Sequence, residues 1–267
     1  SHKKLQTLEL TLNNELGKIQ EWLCANKLSL NIKKTNFTLF HPPQKKLNDS
    51  IVLCLNGKTL GQIKSTKYLG VLMDCHLNWK DHVHNICKKL TRSIGIISKL
   101  RHFINIKTLV QLYYTLIYPF LTYSCMVWGN TYTSNLKPLE VLQKRTIRII
   151  TFSRFDAHTS PLFAQLKILK MPHVIVFQTA CFMFRFSKGK LPKAFNTFFS
   201  TINSSHDYNT RLATRYTFSV PSIRSNYGKF NIRYAGPKVW NNIDESLKPL
   251  GLRSFKTLLK LNLLHLY

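Results

Sequence analysis

The sequence predicts an α+β fold, in which a small region of helix plus antiparallel strands fills about the first 75 residues and a mainly α-helical region follows. Three observations predict it. An apolar stripe with helical spacing opens the chain, the pair Asn56-Gly57 separates two short apolar runs, and a second helical stripe begins at Val83.

The first helix is marked by apolar residues three or four positions apart. They are Leu5, Leu8, Leu12, Leu16, Ile19 and Leu23, and the pattern ends near Asn26. Residues 36–40 then predict a short strand, and Pro42, Pro43 and Asn48 indicate a loop.

A β-hairpin is predicted at Asn56-Gly57. Residues 51–55 and 58–63 flank this pair, and both turn residues tolerate the positive φ that a two-residue hairpin turn requires. Residues 68–73 predict one more strand.

A long helix is predicted from Asn78, whose side chain suits an N-cap, with Asp81 placed to return a hydrogen bond. Its apolar stripe consists of Val83, Ile86, Leu90, Ile94 and Ile97. Because an α-helix turns by about 100° per residue, Lys88, Arg92 and Lys99 fall on the opposite side. One face is therefore expected to pack while the other meets phosphate.

Further helices are predicted over residues 106–118, 120–128, 137–151, 160–169, 173–187, 237–243 and 254–264. Pro138 suits the first turn of the third of these, and residues 189–232 predict a basic loop.

Residues 109–128 carry no charge and are numerous enough to span a bilayer. Their polar side chains and Pro119 favour two helices buried in protein and broken at Pro119, with a membrane span as the alternative.

The charge balance indicates a polyanionic partner. The chain carries 39 Lys and Arg against 11 Asp and Glu, a formal net charge of +28, and its hydrophobic content of 44% is that of a globular protein. The positive excess is spread along the whole chain rather than gathered in one run. This distribution favours nucleic acid over a membrane surface.

No catalytic set can be assembled from the acidic residues. Two-metal phosphoryl transfer needs carboxylates that hold two cations close together. Glu9, Glu15 and Glu21 predict the solvated side of one helix, and Asp244-Glu245 predicts a helix start. No Gly-rich phosphate loop is present either.

The cysteines and histidines do not predict a metal site. The six cysteines form no C-x-x-C pair, which favours a reducing intracellular compartment. Cys75, His82, His84 and Cys87 are residue types that bind zinc, but their spacing fits no common zinc finger. Ordinary helix residues are the favoured interpretation.

Basic clusters provide the candidate nucleic-acid-binding residues. They are Lys33 and Lys34 after the first helix, Lys88, Arg92 and Lys99 on one helix face, and Lys144, Arg145 and Arg148 on one side of a later helix. The loose region carries Arg211, Arg215, Arg224, Lys229 and Arg233 beside Tyr208, Tyr216, Tyr227 and Tyr234. Such interleaving suits stacking on unpaired bases, although any single cluster is equally consistent with a solvated face.

Several stretches carry a family resemblance. Residues 22–35 follow the pattern W-x-x-x-N-x-L-x-x-N-x-x-K-T, residues 68–74 read YLGVLMD, and residues 77–82 read LNWKDH. Trp128-Gly129, PLEVLQKRTIRII at 138–150 and YAGPKVWN at 234–241 follow. In this order the stretches resemble LINE-type (non-LTR, jockey-like) retrotransposon reverse transcriptases, from just after their Tyr-x-Asp-Asp motif onward.

The resemblance implies three parts. Residues 1–76 would be a palm remnant with the post-catalytic motif and primer-grip hairpin, residues 77–135 a helical thumb, and residues 136–267 a basic C-terminal extension. It implies that Tyr68, Leu69 and Gly70 hold the primer end, and that the thumb-helix cations follow the duplex backbone. Lys34 is a candidate general acid for the pyrophosphate leaving group, with a phosphate-facing or solvated lysine as the favoured alternative.

The resemblance also implies partners. They are an RNA template and a DNA primer or their hybrid, together with the fingers and the rest of the palm, in a ribonucleoprotein of nucleus and cytoplasm. The Tyr-x-Asp-Asp motif and the other catalytic Asp are expected upstream of Ser1, and Mg²⁺ is expected only for the intact polymerase.

Two hypotheses follow for this chain. In the first, it binds nucleic acid as part of a polymerase without polymerising it, and apolar surface exposed on its first helix makes it poorly soluble. In the second, it is a stand-alone basic nucleic-acid-binding or interaction protein without enzymatic activity.

Overall fold

The computed structural model describes residues 5–45, 51–201 and 217–267. The chain forms two compact units, Ser1–His82 and Val83–Tyr267. The predicted α+β class is confirmed, because helices dominate and the strands form small two-stranded sheets. The division into parts at residues 76 and 135 stays a prediction.

The first unit combines one long helix with short strands. Its elements are α1 (Leu5–Ala25), β1 (Asn36–Phe37), β2 (Cys54–Leu55), β3 (Lys58–Thr59), β4 (Gly61–Gln62), β5 (Ser65–Tyr68) and β6 (Val71–Asp74). Strand β1 pairs with β4 in parallel, whereas β2 with β3 and β5 with β6 are antiparallel hairpins. A 3₁₀ turn, Ile32–Lys34, follows α1.

The core of the first unit is small. Ile51, Leu53, Leu55 and Leu60 are buried, and Leu5, Leu8, Leu12 and Leu16 of α1 pack against them. The predicted stripe of α1 therefore packs only through its first part, since Ile19 is 50% exposed. Trp22 is also exposed, so the expected apolar surface on α1 is present, while its effect on solubility stays a prediction.

Two hairpin turns shape the strands. Asn56 and Gly57 have φ of 53° and 67°, which confirms the predicted turn between β2 and β3. The prediction of a single strand over residues 68–73 is wrong, because Leu69 and Gly70 also have positive φ, 45° and 84°. They form a second two-residue turn, and the chain reverses there between β5 and β6.

The second unit is helical. Its helices are α2 (Lys80–Leu100, which starts at the end of the first unit), α3 (Ile106–Leu116), α4 (Tyr118–Thr122), α5 (Cys125–Trp128), α6 (Thr133–Ile150), α7 (Thr159–Gln165), α8 (Met171–Ser187), α9 (Asn226–Phe230), α10 (Ile232–Asn241) and α11 (Leu252–Leu264). The predicted stripe of α2 is confirmed, because its five residues are all buried: Val83, Ile86, Leu90, Ile94 and Ile97. Asn78 Oδ1 accepts a hydrogen bond from the Lys80 N–H at 2.9 Å, where the helix begins.

Several predicted boundaries are wrong for identifiable reasons. The helix expected over residues 120–128 is two short helices, because Ser124 has φ 50° and separates α4 from α5. The break lies there and at Ile117, so Pro119 falls in the first turn of α4. Pro138 lies inside α6 rather than in its first turn.

The region expected to be a basic loop is partly helical. Helix α9 lies inside residues 189–232, and α10 begins five residues before the predicted start at Pro237. Pro237 is buried within α10, where packing compensates for the backbone hydrogen bond that proline cannot donate. Arg211, Arg215, Tyr208, Tyr216 and the loop residue Asn48 lie outside the described residues.

The core of the second unit is rich in aromatic rings. Trp240, Phe184 and Phe255 are nearly fully buried, and the ring centroids of Phe184 and Phe255 are 4.4 Å apart. Among the described residues, no helix combines the length and the apolar character needed to cross a membrane.

One buried polar side chain connects three helices of this unit and the loop before α8. Gln143 of α6 is 1% exposed, and its Nε2 donates to Tyr113 Oη at 2.8 Å and to the Leu169 carbonyl at 2.9 Å. Its Oε1 accepts from the Met171 N–H at 2.8 Å. The start of α8 is thereby fixed against α3 and α6.

Replacement of Gln143 by Leu should destabilise the second unit by about 3 kcal/mol, because the buried amide, carbonyl and hydroxyl groups would lose their partner. Urea unfolding followed by tryptophan fluorescence measures the effect. Gln111→Leu, on the exposed side of α3, is the matched control and should change stability by less than about 0.5 kcal/mol. Equal effects of the two substitutions would contradict this role of Gln143.

Candidate nucleic-acid interface

The outer face of α2 presents the predicted cations. Lys88, Arg92 and Lys99 are exposed, while the opposite stripe of the same helix is buried. Since the buried stripe fixes the rotation of α2 about its axis, these three side chains are held on the solvent side.

A groove between α2 and α6 brings two of the predicted clusters together. It has a volume of about 360 Å³ and is lined by Lys99 of α2 and Arg145 of α6, with Thr91, Ser98 and Leu142 beside them. Two cations and two hydroxyl groups along one groove can contact successive oxygens of a sugar–phosphate backbone. The sequence had shown these cations only as separate groups.

The cluster on α6 faces two ways. Lys144 and Arg148 line a different cleft of about 290 Å³, together with Lys170, His158 and Ser160. The Nε of Arg148 donates to the Ala157 carbonyl at 2.9 Å, which fixes this guanidinium against the loop before α7. Lys144, Arg145 and Arg148 therefore do not form one continuous patch.

Lys170 was not predicted as a site residue. Its Nζ lies 3.0 Å from Ser160 Oγ and 4.2 Å from the centre of the Tyr267 ring. Partial burial and then the nearby charge of Lys144 lower the pKa of Lys170. Burial and the charge of Lys170 likewise lower the pKa of His173, whose ring stacks on Tyr267.

Three cations, Lys144, Arg148 and Lys170, line this cleft together with two acids, Glu140 and Asp156. An anion placed between Lys144 and Lys170 would relieve their repulsion. No sequence signal could have found Lys170, because it lies 26 residues from Lys144 and follows an apolar run.

The candidate cations lack acidic partners. None of Lys88, Arg92, Lys99, Lys144 and Arg145 forms an ion pair with an acidic residue in the described parts of the chain. By contrast, Lys18 pairs with Glu15 at 2.7 Å, and Arg154 pairs with Asp156 at 3.2 Å. The five cations are therefore available to an external anion.

The first unit places its candidate residues at two exposed positions. Lys33 and Lys34 lie on the 3₁₀ turn after α1, which the Thr35 hydroxyl closes by donating to the Asn31 carbonyl at 3.0 Å. Tyr68, Leu69 and Gly70 form the tip of the β5–β6 hairpin, with Leu69 74% exposed.

The basic residues near the C-terminus are partly used in packing. Arg224 and Lys229 are exposed, whereas the guanidinium of Arg233 lies 4.2 Å from the centre of the Phe198 ring. Tyr227 and Tyr234 are half-buried, so their rings are only partly accessible to bases.

The four zinc-capable residues considered in the sequence, Cys75, His82, His84 and Cys87, do not form one group. His82 is buried, and its Nδ1 accepts a hydrogen bond from the Leu72 N–H at 3.2 Å. His84 is exposed, and Cys87 is half-buried, with its pKa raised by burial.

The chain is similar in sequence to RNA-directed DNA polymerases of mobile elements, which confirms the resemblance carried by its motifs. No protein-family model and no solved structure matches it significantly.

The particular relatives are polymerases of Drosophila elements. The chain is 25% identical over 164 residues to the RNA-directed DNA polymerase from mobile element jockey of Drosophila funebris, covering 60% of this chain and 18% of that protein. It is 26% identical over 155 residues to the probable RNA-directed DNA polymerase from transposon X-element of Drosophila melanogaster, covering 57% and 17%. A third relative, from transposon BS of the same species, is 28% identical over 125 residues, covering 41% and 14%. The chain thus spans less than a fifth of the length of these relatives.

The groove between α2 and α6 can be tested by a double substitution, Lys99→Ala with Arg145→Ala. We expect weaker binding to any duplex regardless of sequence, and a salt dependence of log K that is shallower by about 2, or about 1 for each lost phosphate contact. Fluorescence anisotropy over a range of salt concentrations measures both quantities.

The matched control for this experiment is Lys18→Ala with Arg154→Ala. It removes the same two residue types, but both are ion-paired with acids of the chain. Its salt dependence should remain close to that of the unchanged protein. If both double variants behave alike, net charge rather than the groove governs binding.

Proposed function

We propose that this chain binds template–primer nucleic acid as part of an RNA-directed DNA polymerase of a jockey-like mobile element, and that by itself it makes no DNA. The observation that carries the proposal is the groove in which Lys99 and Arg145 lie together without acidic partners. The relatives supply the polymerase context, since each of them is described as an RNA-directed DNA polymerase.

Binding through this surface is sequence-independent. Lysine and arginine contacts to phosphate position a duplex but do not read its bases. The exposed face of α2 and the groove beside it would follow one backbone, while the cleft of Lys144, Arg148 and Lys170 would hold a further phosphate. A polymerase needs this property, because template and primer change with every step of synthesis.

The first unit would have the roles that the resemblance implies for its residues. The exposed tip at Tyr68, Leu69 and Gly70 would hold the primer end, and its two-residue turn allows the backbone to approach a strand closely. Lys34 would face a phosphate or, in the intact polymerase, protonate the leaving pyrophosphate. Mg²⁺ would be held by the carboxylates of the intact polymerase.

The proposed lack of synthesis rests on the acidic residues. The 267 residues contain no Tyr-x-Asp-Asp sequence. Among the described residues, Asp74 is the buried acid, and its carboxylate is occupied by backbone N–H groups. It is therefore unavailable as a ligand for catalytic cations.

The full chain should bind an RNA–DNA hybrid with an affinity that falls linearly, on logarithmic axes, as salt rises. Two hybrids of unrelated sequence should give similar curves. A primer-extension assay with Mg²⁺ and all four deoxynucleotides should yield no product. Absent or salt-independent binding would contradict the proposal, and DNA synthesis would contradict its second half.

The reading frame upstream of Ser1 distinguishes the proposed polymerase context from the alternative of a stand-alone basic binding protein. An in-frame Tyr-x-Asp-Asp codon run within a few tens of residues supports the polymerase context. An initiator methionine directly before Ser1 supports the alternative.

The hairpin tip can be tested by Tyr68→Ala with Leu69→Ala. We expect binding to a hybrid with a recessed primer end to weaken by about tenfold, since contact with a terminal base is worth about 1–3 kcal/mol, while binding to a duplex without such an end changes little. Phe103→Ala with Phe155→Ala is the control, because it removes two exposed apolar side chains away from the hairpin. An equal loss of affinity for both nucleic acids would contradict the proposal that the hairpin tip holds the primer end.

A further inference from the structure

A group of metal-ligand side chains in the first unit is not used by the proposed function. A ring nitrogen of His41, the Sγ of Cys75 and a ring nitrogen of His76 all lie within 4.8 Å of one another, and all three residues are half-buried. We propose that these residues bind one zinc ion, with a water molecule as the fourth ligand.

The hydrogen bonds of the two histidines prepare them for a metal. His41 Nδ1 lies 3.0 Å from the Pro42 carbonyl, and His76 Nδ1 lies 3.0 Å from the His41 carbonyl. A carbonyl oxygen can only accept, so Nδ1 is the donor in both rings, and in the neutral imidazole this leaves the lone pair on Nε2. Metal-ligating histidines in proteins usually have this arrangement, in which the second nitrogen donates to a carbonyl or carboxylate.

The backbone holds the three ligands in place from two chain segments. The His41 N–H donates to the Cys75 carbonyl at 3.1 Å, and the Cys75 N–H donates to the Lys64 carbonyl at 2.8 Å. The segment after β1 is thereby connected to the loop after β6, which brings residues 34 positions apart into one group.

Asp74 fixes the loop that carries Cys75 and His76. Its Oδ1 accepts from the N–H groups of His76 at 3.0 Å and Asn78 at 3.2 Å, and its Oδ2 accepts from the Trp79 N–H at 2.9 Å. Leu77 and Trp79 in this loop have positive φ, an uncommon conformation for such residues. A buried carboxylate thus orders the two adjacent ligands.

The donor set favours zinc among the common divalent ions. One thiolate and two imidazoles suit zinc, whereas magnesium and calcium prefer oxygen ligands. Tetrahedral zinc with bonds of about 2.0–2.3 Å places its ligand atoms about 3.5 Å apart. Because the three ligand atoms lie within 4.8 Å of one another, they need to close by at most about 1.3 Å. On binding, the Cys75 thiol loses its proton to solvent, and its thiolate joins the ion.

Spectroscopy with cobalt chloride as the probe tests the site in the full chain. The background carries Cys24→Ser, Cys54→Ser and Cys87→Ser, so that the remaining thiols outside the site, Cys125 and Cys181, are buried. We expect one Co²⁺ per chain with a thiolate-to-cobalt charge-transfer band and tetrahedral ligand-field bands. Cys75→Ser should abolish the charge-transfer band, and His41→Gln or His76→Gln should weaken binding at least tenfold.

The control substitution is His84→Gln, an exposed histidine of α2 outside the group, which should leave the spectrum unchanged. A spectrum that survives Cys75→Ser, or no binding at one equivalent of cobalt, would overturn the proposal. Circular dichroism establishes that each variant is folded.

A second measurement needs no substitution. In the unchanged chain, one equivalent of zinc should protect Cys75 from alkylation by iodoacetamide, while the exposed Cys24 and Cys54 continue to react. Peptide mass spectrometry gives each rate. Equal reactivity of Cys75 with and without zinc would overturn the proposal, and either result is independent of nucleic-acid binding.

Discussion

The mutual repulsion of its cations is the constraint under which this protein folds. A net charge of +28 must be outweighed by burial of apolar surface. The second unit meets this requirement with large aromatic side chains, among which Trp128, Trp240 and Phe255 are almost completely buried. Some cations at the edge of the core lie over rings, as Arg101 does over Phe152 at 4.4 Å. Lys88, Arg92, Lys99, Lys144 and Arg145 stay on the surface, where an external polyanion can neutralise them.

The rotation of α2 and α6 about their own axes decides which of their cations face solvent. The buried stripe of α2 and the contacts of Gln143 fix α2 and α6, and each helix then presents its basic residues in directions that the core determines. Arg145 and Lys99 thereby line one groove, while Lys144, Arg148 and Lys170 line a separate cleft. The candidate interface consists of these two separate basic depressions rather than one uniform positive surface.

The first unit combines a small core with a loop held by hydrogen bonds. Four buried aliphatic residues and one face of α1 form one apolar cluster there. The loop after β6 is held by the carboxylate of Asp74, which accepts three backbone N–H groups, and by the buried side chain of Trp79. The same loop carries Cys75 and His76, so the proposed zinc ion would add a further connection to the segment after β1.

The sequence by itself determined the features that arise from neighbouring residues. The spacing of leucines predicts α1, the stripe from Val83 to Ile97 predicts the buried face of α2, and Asn56-Gly57 predicts its turn, because periodicity and turn chemistry act over a few residues. The turn at Leu69-Gly70 was missed because leucine rarely adopts positive φ, and the start of α10 was missed because Pro237 resembles a first-turn proline. Only the tertiary structure decided that Lys99 and Arg145 line one groove, that Lys144 and Lys170 line one cleft, and that His41 lies near Cys75. These groupings join residues 26 to 46 positions apart, and the packing of whole helices and strands, which no local pattern encodes, sets such distances.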